Sequence, residues 1–226
     1  MSSNTFKSRL FDQFARIGKA LSNGVRLQIL ELLAQGERSV EALAKASGQS
    51  VANVSQHLQQ LRQSGLVVAR KEGQFVFYRA ANDDVIRLLS ALQHVGEANL
   101  AEIDRMISAY LTRKDALEPV PAQELMERMR LGLVTVLDVR PRQEYEAGHL
   151  PGAISVPLNE LEKHLSELPA DREIVAYCRG PYCLLAFEAV ATLREKGLRA
   201  RRLEDGYPEW RLRGLPVESG RSAITT

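Results

Sequence analysis

From Arg172 to Lys196 the chain passes from a short apolar run, Arg172-Glu-Ile-Val-Ala-Tyr177, through six residues, Cys178-Arg179-Gly180-Pro181-Tyr182-Cys183, into a helically spaced apolar segment that opens at Leu184. That order restricts the region to a buried strand, a tight turn and a covering helix. Both cysteines of the chain lie in the turn. Cysteines taken at random read as small buried hydrophobes, but this placement points to chemistry. Backbone N–H groups converge where a strand ends and a helix opens, and with the helix dipole they favour an anion such as a thiolate or persulfide. The neighbouring Arg179 is expected to lower the Cys178 pKa and raise its thiolate fraction.

Several separated segments extend this reading. They are Leu137-Asp138-Val139-Arg140, Glu144-Tyr145-Glu146-Ala147-Gly148-His149-Leu150-Pro151-Gly152-Ala153-Ile154, the Cys178 turn, Glu204-Asp205-Gly206-Tyr207-Pro208-Glu209-Trp210 and Gly214-Leu215-Pro216-Val217. Together they make Val120 to Glu218 resemble the rhodanese-like sulfurtransferases. The resemblance implies an α/β domain with a mostly parallel sheet. It also implies that Cys178 takes a sulfane sulfur from a donor and holds it as a persulfide for an acceptor thiol. The implied catalytic set is Cys178, Arg179 and Cys183, within a sulfur cradle formed by Cys178, Arg179, Gly180, Pro181, Tyr182 and Cys183. Two departures count against ordinary turnover. Pro181 has no N–H to offer a bound sulfur, and Tyr182 and Cys183 stand where common rhodanese loops carry small or basic residues. Cys183 is placed to attack a persulfide on Cys178, giving an internal di- or polysulfide if the Cα atoms come within about 7 Å. The related phosphatase pattern needs an Arg closing the loop, where this chain has Cys183. His149 is read as fixing a local turn, and Asp138 and Arg140 as structural charges pinning the loop after the strand.

Charge divides the chain unevenly. Residues 1–80 carry eleven Lys/Arg against five Asp/Glu, net +6; residues 81–118 carry four against seven, net −3; the remainder carry fifteen against sixteen, net −1. A basic first third points to a polyanion partner. Lys7, Arg9, Asp12 and Arg16 interrupt any signal-like apolar core, and no later run reaches the roughly 20 residues that span a bilayer. The expectation is a cytoplasmic protein without a membrane partner, in a reducing compartment where a Cys178–Cys183 bridge would be transient.

Within the basic third, Phe6, Leu10, Phe14, Ile17 and Leu21 keep helical spacing, and Val25 to Ala34 continues it through Ile29, Leu30 and Leu33. Ser39 opens a short helix, Gly48 breaks it, and Ser50 is placed to cap Val51 to Gln63, giving a helix-turn-helix. Val51, Val54, Leu58 and Leu61 form one face of the second helix. Asn53, Ser55, Gln56, Gln59, Gln60 and Gln63 point elsewhere, and amides of this kind pair with base edges. Residues 66–70 and 75–79 alternate as two strands around Lys71-Glu72-Gly73-Gln74, a wing whose Arg70, Lys71 and Arg79 can reach phosphates.

The run Ser50-Val-Ala-Asn-Val-Ser-Gln-His57-Leu58-Gln-Gln-Leu61-Arg62-Gln-Ser-Gly65-Leu66-Val67 closely resembles the recognition helix and wing of ArsR-type winged-helix repressors. The resemblance covers about the first 110 residues. It implies dimers that bind palindromic double-stranded operators and release them on a signal, with Ser50, Asn53, Ser55, Gln56, Gln60, Arg70, Lys71 and Arg79 as the DNA-binding set. His57 belongs to the family signature and is read as packing locally. Metal-sensing members use cysteines in the helix before the recognition helix; this chain has Ser39-Val40-Glu41-Ala42-Leu43 there. His94 and Glu97, with Asp83 distant and Ala81 at the expected first ligand position, read as a solvated face, so neither a metal site nor a cofactor is expected.

Asn82 is placed to cap one long helix reaching Leu111, whose apolar stripe exceeds what a small winged domain can cover. A homodimer through Leu89, Leu92, Ile103 and Met106 is the expectation. The domains expected are a winged helix-turn-helix DNA-binding and dimerisation unit (1–111), a polar, proline-ended linker (112–120) and a rhodanese-like domain (121–226). Three functions follow. The first is a regulator, in the repressor mould, sensing sulfane sulfur or oxidant at Cys178 with Cys183 as resolving thiol. The second is a working sulfurtransferase carrying a DNA-binding module. The third is a regulator answering arsenite or another thiophilic species.

Overall fold

The computed structural model describes residues 3–110 and 118–220. By its internal contacts the chain divides into two compact units, Met1–Gln93 and His94–Thr226. The division falls upstream of the expected linker, of which residues 112–117 lie outside the described residues, as does Leu111.

The first unit begins with α1 (Ser3–Leu21) and α2 (Gly24–Ala34), continues through β1 (Arg38–Ser39), α3 (Val40–Ser47) and α4 (Val51–Gln63), and closes with β2 (Val67–Glu72), β3 (Phe75–Ala80) and the start of α5 (Asp83–Asn99). The expected caps form: Ser39 Oγ accepts from Ala42 N and Ser50 Oγ from Asn53 N, each at 3.2 Å, while Asn82 Oδ1 accepts from Val85 N at 3.3 Å. Each satisfies an otherwise orphaned donor of a first turn. Gly48, with φ 67°, ends α3 in the left-handed conformation that glycine adopts without steric cost. Strand order is β1-β3-β2, all antiparallel, with Lys71 opposite Val76 and Glu72 opposite Phe75. The wing is therefore longer, and its turn at Gly73-Gln74 tighter, than the sequence suggests. Ile29, Leu43, Val54, Leu58 and Leu61 are completely buried beneath it.

Two apolar faces of this fold stay uncovered. Ile17 and Leu21 pack on the core, whereas Phe6, Phe11 and Phe14 are exposed on the same helix. On α5, Val85, Ile86 and Leu89 are buried, while Leu88, Leu92 and Val95 are exposed. The single helix expected from Asn82 to Leu111 is instead two, α5 and α6 (Ala101–Tyr110), parted at Leu100. Asn99 Nδ2 donates to Val95 O at 2.8 Å, satisfying a terminal carbonyl of α5. Leu100 O accepts from Ile103 N at 2.8 Å, which starts the next turn. The Ile103 side chain packs close over Gly96, where a Cβ would stand 2.9 Å from its Cδ1.

The second unit continues with α7 (Ala122–Arg130), β4 (Val134–Asp138), α8 (Arg142–Ala147), β5 (Ile154–Ser155), α9 (Leu161–His164), β6 (Glu173–Tyr177), α10 (Leu184–Glu195), β7 (Ala200–Arg202) and α11 (Tyr207–Leu212). Its four strands are parallel in the order β5-β4-β6-β7. The central strands are buried almost throughout their length, as strands covered on both faces are, with Thr135 and Asp138 of β4 and Glu173 of β6 breaking otherwise apolar runs. On α10, Ala186, Ala189, Val190 and Leu193 are buried in one core cluster with Ile174 and Ala176 of β6. Small side chains on that face let the helix lie close over the strand, which fixes the turn between them.

Candidate functional site

The turn from Cys178 to Cys183 leaves the end of β6 and enters α10, with Cys183 as the N-cap residue. Three neighbours shape it. Tyr207 N donates to Cys178 O at 3.1 Å, and Cys183 N donates to Gly180 O at 3.1 Å. Gly206 packs against the turn's backbone: a Cβ at that position would stand 2.3 Å from Gly180 N and 2.4 Å from the carbonyl carbon of Arg179. Below the turn, Asp138 and Arg140 form a fully buried ion pair at 2.6 Å. Tyr177 Oη donates to Asp138 Oδ2 at 2.5 Å, and Arg140 Nη2 donates to Gly148 O at 2.7 Å. These charges hold the strand ends and the neighbouring loop. His149 is buried, stacks on Tyr145 with ring centroids 3.6 Å apart, and joins its Nδ1 to Tyr145 O at 2.8 Å.

Burial works against the low Cys178 pKa expected from Arg179. Cys178 is only 2% exposed, and burial first, then the adjacent Cys183, pushes its thiol well up from the ordinary value. Cys183 is half-buried. Its thiol is held down, chiefly by a hydrogen bond from Cys178 and further by the backbone N–H groups of Arg179 and Leu185 and the charge of Arg179. The two residues are joined by the Cys178 thiol, which donates to the Cys183 carbonyl oxygen at 3.2 Å. Arg179 does not serve Cys178 as expected because Glu144 holds it: Nε lies 3.0 Å from both carboxylate oxygens and Nη2 2.6 Å from Oε1. The Cys178 sulfur faces oxygens instead, 3.2 Å from Cys183 O and 3.8 Å from Gly180 O. Sequence reasoning passed over Glu144 and Gly206, although both stand in the motif segments.

On the first unit, Ser55 and Gln56 are exposed along α4, and Lys71 is exposed on the wing. Other members of the expected DNA-binding set are engaged. Ser50 caps α4, Asn53 Nδ2 donates to Gln49 Oε1 at 2.7 Å, and Gln60 Oε1 accepts from Arg26 Nη1 at 2.7 Å. Gln60 is thereby a tie to Arg26, a residue the pattern did not single out. Arg26 is buried and also donates to Lys19 O at 3.0 Å and to Ala20 O, joining the end of α1 to α4. Arg70 is held by Glu37 at 2.7 Å and Glu72 at 2.5 Å, its guanidinium 5.1 Å over the Phe77 ring. The Glu37 carboxyl is held below the usual range by that hydrogen bond from Arg70. Arg79 turns back to the carbonyls of Ala80 and Ala81, at 3.1 and 3.2 Å. Of the expected dimerisation residues, Leu92 and Met106 are exposed, Ile103 is half-buried and Leu89 lies in the first unit's own core. Leu89 is thus a core residue, drawn inward by the same face that buries Val85 and Ile86. Among the described residues no three His, Cys, Asp or Glu side chains cluster so as to hold a metal ion, and no helix is long and apolar enough to cross a membrane.

A winged helix-turn-helix with an amide-bearing recognition helix and a parallel-sheet domain with a cysteine turn define a two-part regulator. Comparison with known proteins agrees. Residues 23–68 match the bacterial regulatory protein arsR family, and residues 121–213 match the rhodanese-like domain. The chain is 50% identical over 214 residues to the HTH-type transcriptional regulator Rv0324 of Mycobacterium tuberculosis, covering 95% of this chain and 94% of that one. It is 33% identical over 85 residues to a sulfurtransferase of Allochromatium vinosum, covering 37% of this chain and 78% of that one. A solution structure described as the homodimeric winged helix-turn-helix DNA-binding domain (fragment 1–100) of Mb0332 from Mycobacterium bovis is 52% identical, with TM-score 0.41, and covers 44% of this chain and 91% of that one. The chain belongs to the ArsR-family winged helix-turn-helix transcriptional regulators that carry a C-terminal rhodanese-like domain.

Proposed function

We propose that the protein is a cytoplasmic homodimeric repressor that binds palindromic double-stranded DNA and responds to sulfane sulfur, or an oxidant, through Cys178 and Cys183. The observation that carries this reading is the pair of thiols in one turn. The chain's two cysteines share one turn, the Cys178 thiol donates to the Cys183 carbonyl oxygen at 3.2 Å, and the same chain bears an amide-rich helix suited to reading DNA. The proposed base readers are Ser55 and Gln56, with Asn53 after release from Gln49. Ser50 holds the helix start, and Lys71, Arg70 and Arg79 are assigned to phosphates. The proposed domain limits are 1–111 and 121–226, joined by 112–120. The chemical product is a Cys178–Cys183 bridge, reached through a persulfide. Its partners are a small sulfane-sulfur donor and, for reversal, an acceptor thiol.

The alternative, a working sulfurtransferase that merely carries a DNA-binding module, is favoured by the likeness to the A. vinosum sulfurtransferase. Against it stand Pro181, which offers no N–H to bound sulfur, and the carbonyl oxygens facing Cys178. Steady-state turnover with thiosulfate and cyanide separates the two. Sensing predicts one equivalent of sulfur taken up per loop and little thiocyanate thereafter, whereas sustained multiple turnover establishes the enzyme. Arsenite in place of polysulfide tests the thiophilic-metalloid reading by the same DNA-binding measurement.

A further inference from the structure

We propose that the donor accepted by this turn is a hydropersulfide on an uncharged organic carrier, R–S–SH, and that charge disfavours sulfonate-bearing donors such as thiosulfate. This deepens the sulfur-sensing reading and rests on it. The Cys178 side chain is almost wholly buried, so a donor reaches its sulfur with a slim terminal atom while the carrier stays outside. Around that sulfur the turn supplies backbone. The N–H groups of Gly180 and Ala186 face it, and the carbonyl oxygens of Cys183 and Gly180 lie 3.2 and 3.8 Å away. Such N–H groups suit one added sulfur, whereas the carbonyl oxygens repel a further anion brought in behind it. The turn's own cation is already matched. Arg179 Nε lies 3.0 Å from both oxygens of Glu144, whose side chain is completely buried. A second carboxylate borders the turn: a Cβ at Gly180 would stand 3.9 Å from Glu209 Oε2, the atom that accepts from Gly206 N at 3.0 Å. The outer residues are uncharged, with Pro181 and Tyr182 half-buried and Leu184, which opens α10, exposed. A rim of this kind favours an uncharged carrier by burying its apolar surface. A dianion would leave water for a site bordered by carboxylates and carbonyl oxygens.

The chemistry balances with the hydropersulfide as the named oxidant. Cys178 attacks the terminal sulfur of R–S–SH, the donor S–S bond breaks, and RS⁻ leaves with the Cys178 proton as RSH, giving Cys178–S–SH. Cys183 then attacks the Cys178 Sγ while its proton passes to the departing sulfur. The persulfide S–S bond breaks, the Cys178–Cys183 disulfide forms and H₂S leaves. Two thiols lose two electrons, and one sulfane sulfur gains them. In thiosulfate the transferable sulfur is bonded directly to the sulfonate, so the charge must follow to within one S–S bond of the thiol. In R–S–SH the carrier begins one sulfur further out.

The test treats the full-length reduced protein with hydroxyethyl hydropersulfide, sulfonatoethyl hydropersulfide or thiosulfate. Samples are quenched at short times, and persulfide plus bridged loop is counted by peptide mass spectrometry. Each rate is divided by that donor's rate with a free small thiol, which removes the donor's intrinsic reactivity. The hydroxyethyl donor is expected to react about tenfold or more faster than either sulfonate-bearing one. The gap should narrow at high salt, and also in Tyr182→Arg, which sets a cation at the rim. Equal normalised rates, or a faster sulfonate-bearing donor, overturn the proposal and leave sulfur sensing standing. A gap that neither salt nor Tyr182→Arg narrows overturns charge as its cause and the proposal with it. Uptake from none of the three donors overturns the sensing reading itself.

Discussion

Asp138 and Arg140 show how much one buried charge pair holds at the scale of single residues. Both side chains are completely buried, and the Arg140 guanidinium lies 4.5 Å over the Tyr207 ring while its partner carboxylate accepts from Tyr177. Removing one charge leaves the other without compensation in the interior. Asp138→Asn is therefore expected to lower stability by about 3–5 kcal/mol in urea unfolding; a loss under about 1 kcal/mol would contradict the pinning role. The structural role of these two charges is legible from their place directly after an apolar strand. Glu144 is not, because it meets Arg179 from 35 positions away and such pairing leaves no periodic trace. The burial of Cys178 and the engagement of Arg179 by Glu144 share that cause. Adjacency in sequence places Arg179 beside Cys178, but burial and the direction of a side chain are tertiary properties.

Among the elements, the proposed function divides DNA binding between α4, assigned to sequence, and the wing, assigned to phosphate. Gln56→Ala, at an exposed position of α4, is expected to cost about 1–3 kcal/mol on the cognate operator and to relax specificity. Lys71→Ala should weaken all DNA alike and reduce the salt slope by about one. Equal losses on cognate and scrambled duplexes for both variants would contradict the division. Arg70 adds a condition, since Glu37 and Glu72 compete with phosphate for its guanidinium. Neutralising Glu37 by Glu37→Gln should strengthen binding at low salt, measured by anisotropy on a non-specific duplex, and weaker binding would remove Arg70 from the phosphate set. The helices of the first unit are legible because their caps are local: Ser39, Ser50 and Asn82 each bind an N–H three residues ahead. The break at Leu100 is not. It is seen only in the backbone bonds from Leu100 N to Gly96 O and from Ile103 N to Leu100 O, and the apolar spacing runs across it without interruption.

At the scale of the whole molecule, the proposed homodimer would cover exposed apolar residues on α5 and α6. Leu92 is 40% and Met106 64% exposed, against 7% for Leu89. Leu92→Glu with Met106→Glu is expected to give folded monomers in sedimentation that bind operator DNA weakly, while Leu89→Glu should unfold the first unit instead. A double variant that remains dimeric places the interface elsewhere. A dimer also sets the geometry of the operator, with inverted half-sites about one helical turn, or a multiple of it, apart. For loop chemistry to change operator affinity tenfold, the bridged and reduced forms must differ by about 1.4 kcal/mol in their preference for the DNA-competent state. The most direct test is operator affinity of the wild type and of the Cys178→Ser/Cys183→Ser double variant, with and without polysulfide, at a measured fraction of bridged loop. Wild-type affinity is expected to shift about tenfold or more in proportion to bridging, with the double variant unmoved. An unchanged wild-type affinity with the loop fully bridged would contradict the account.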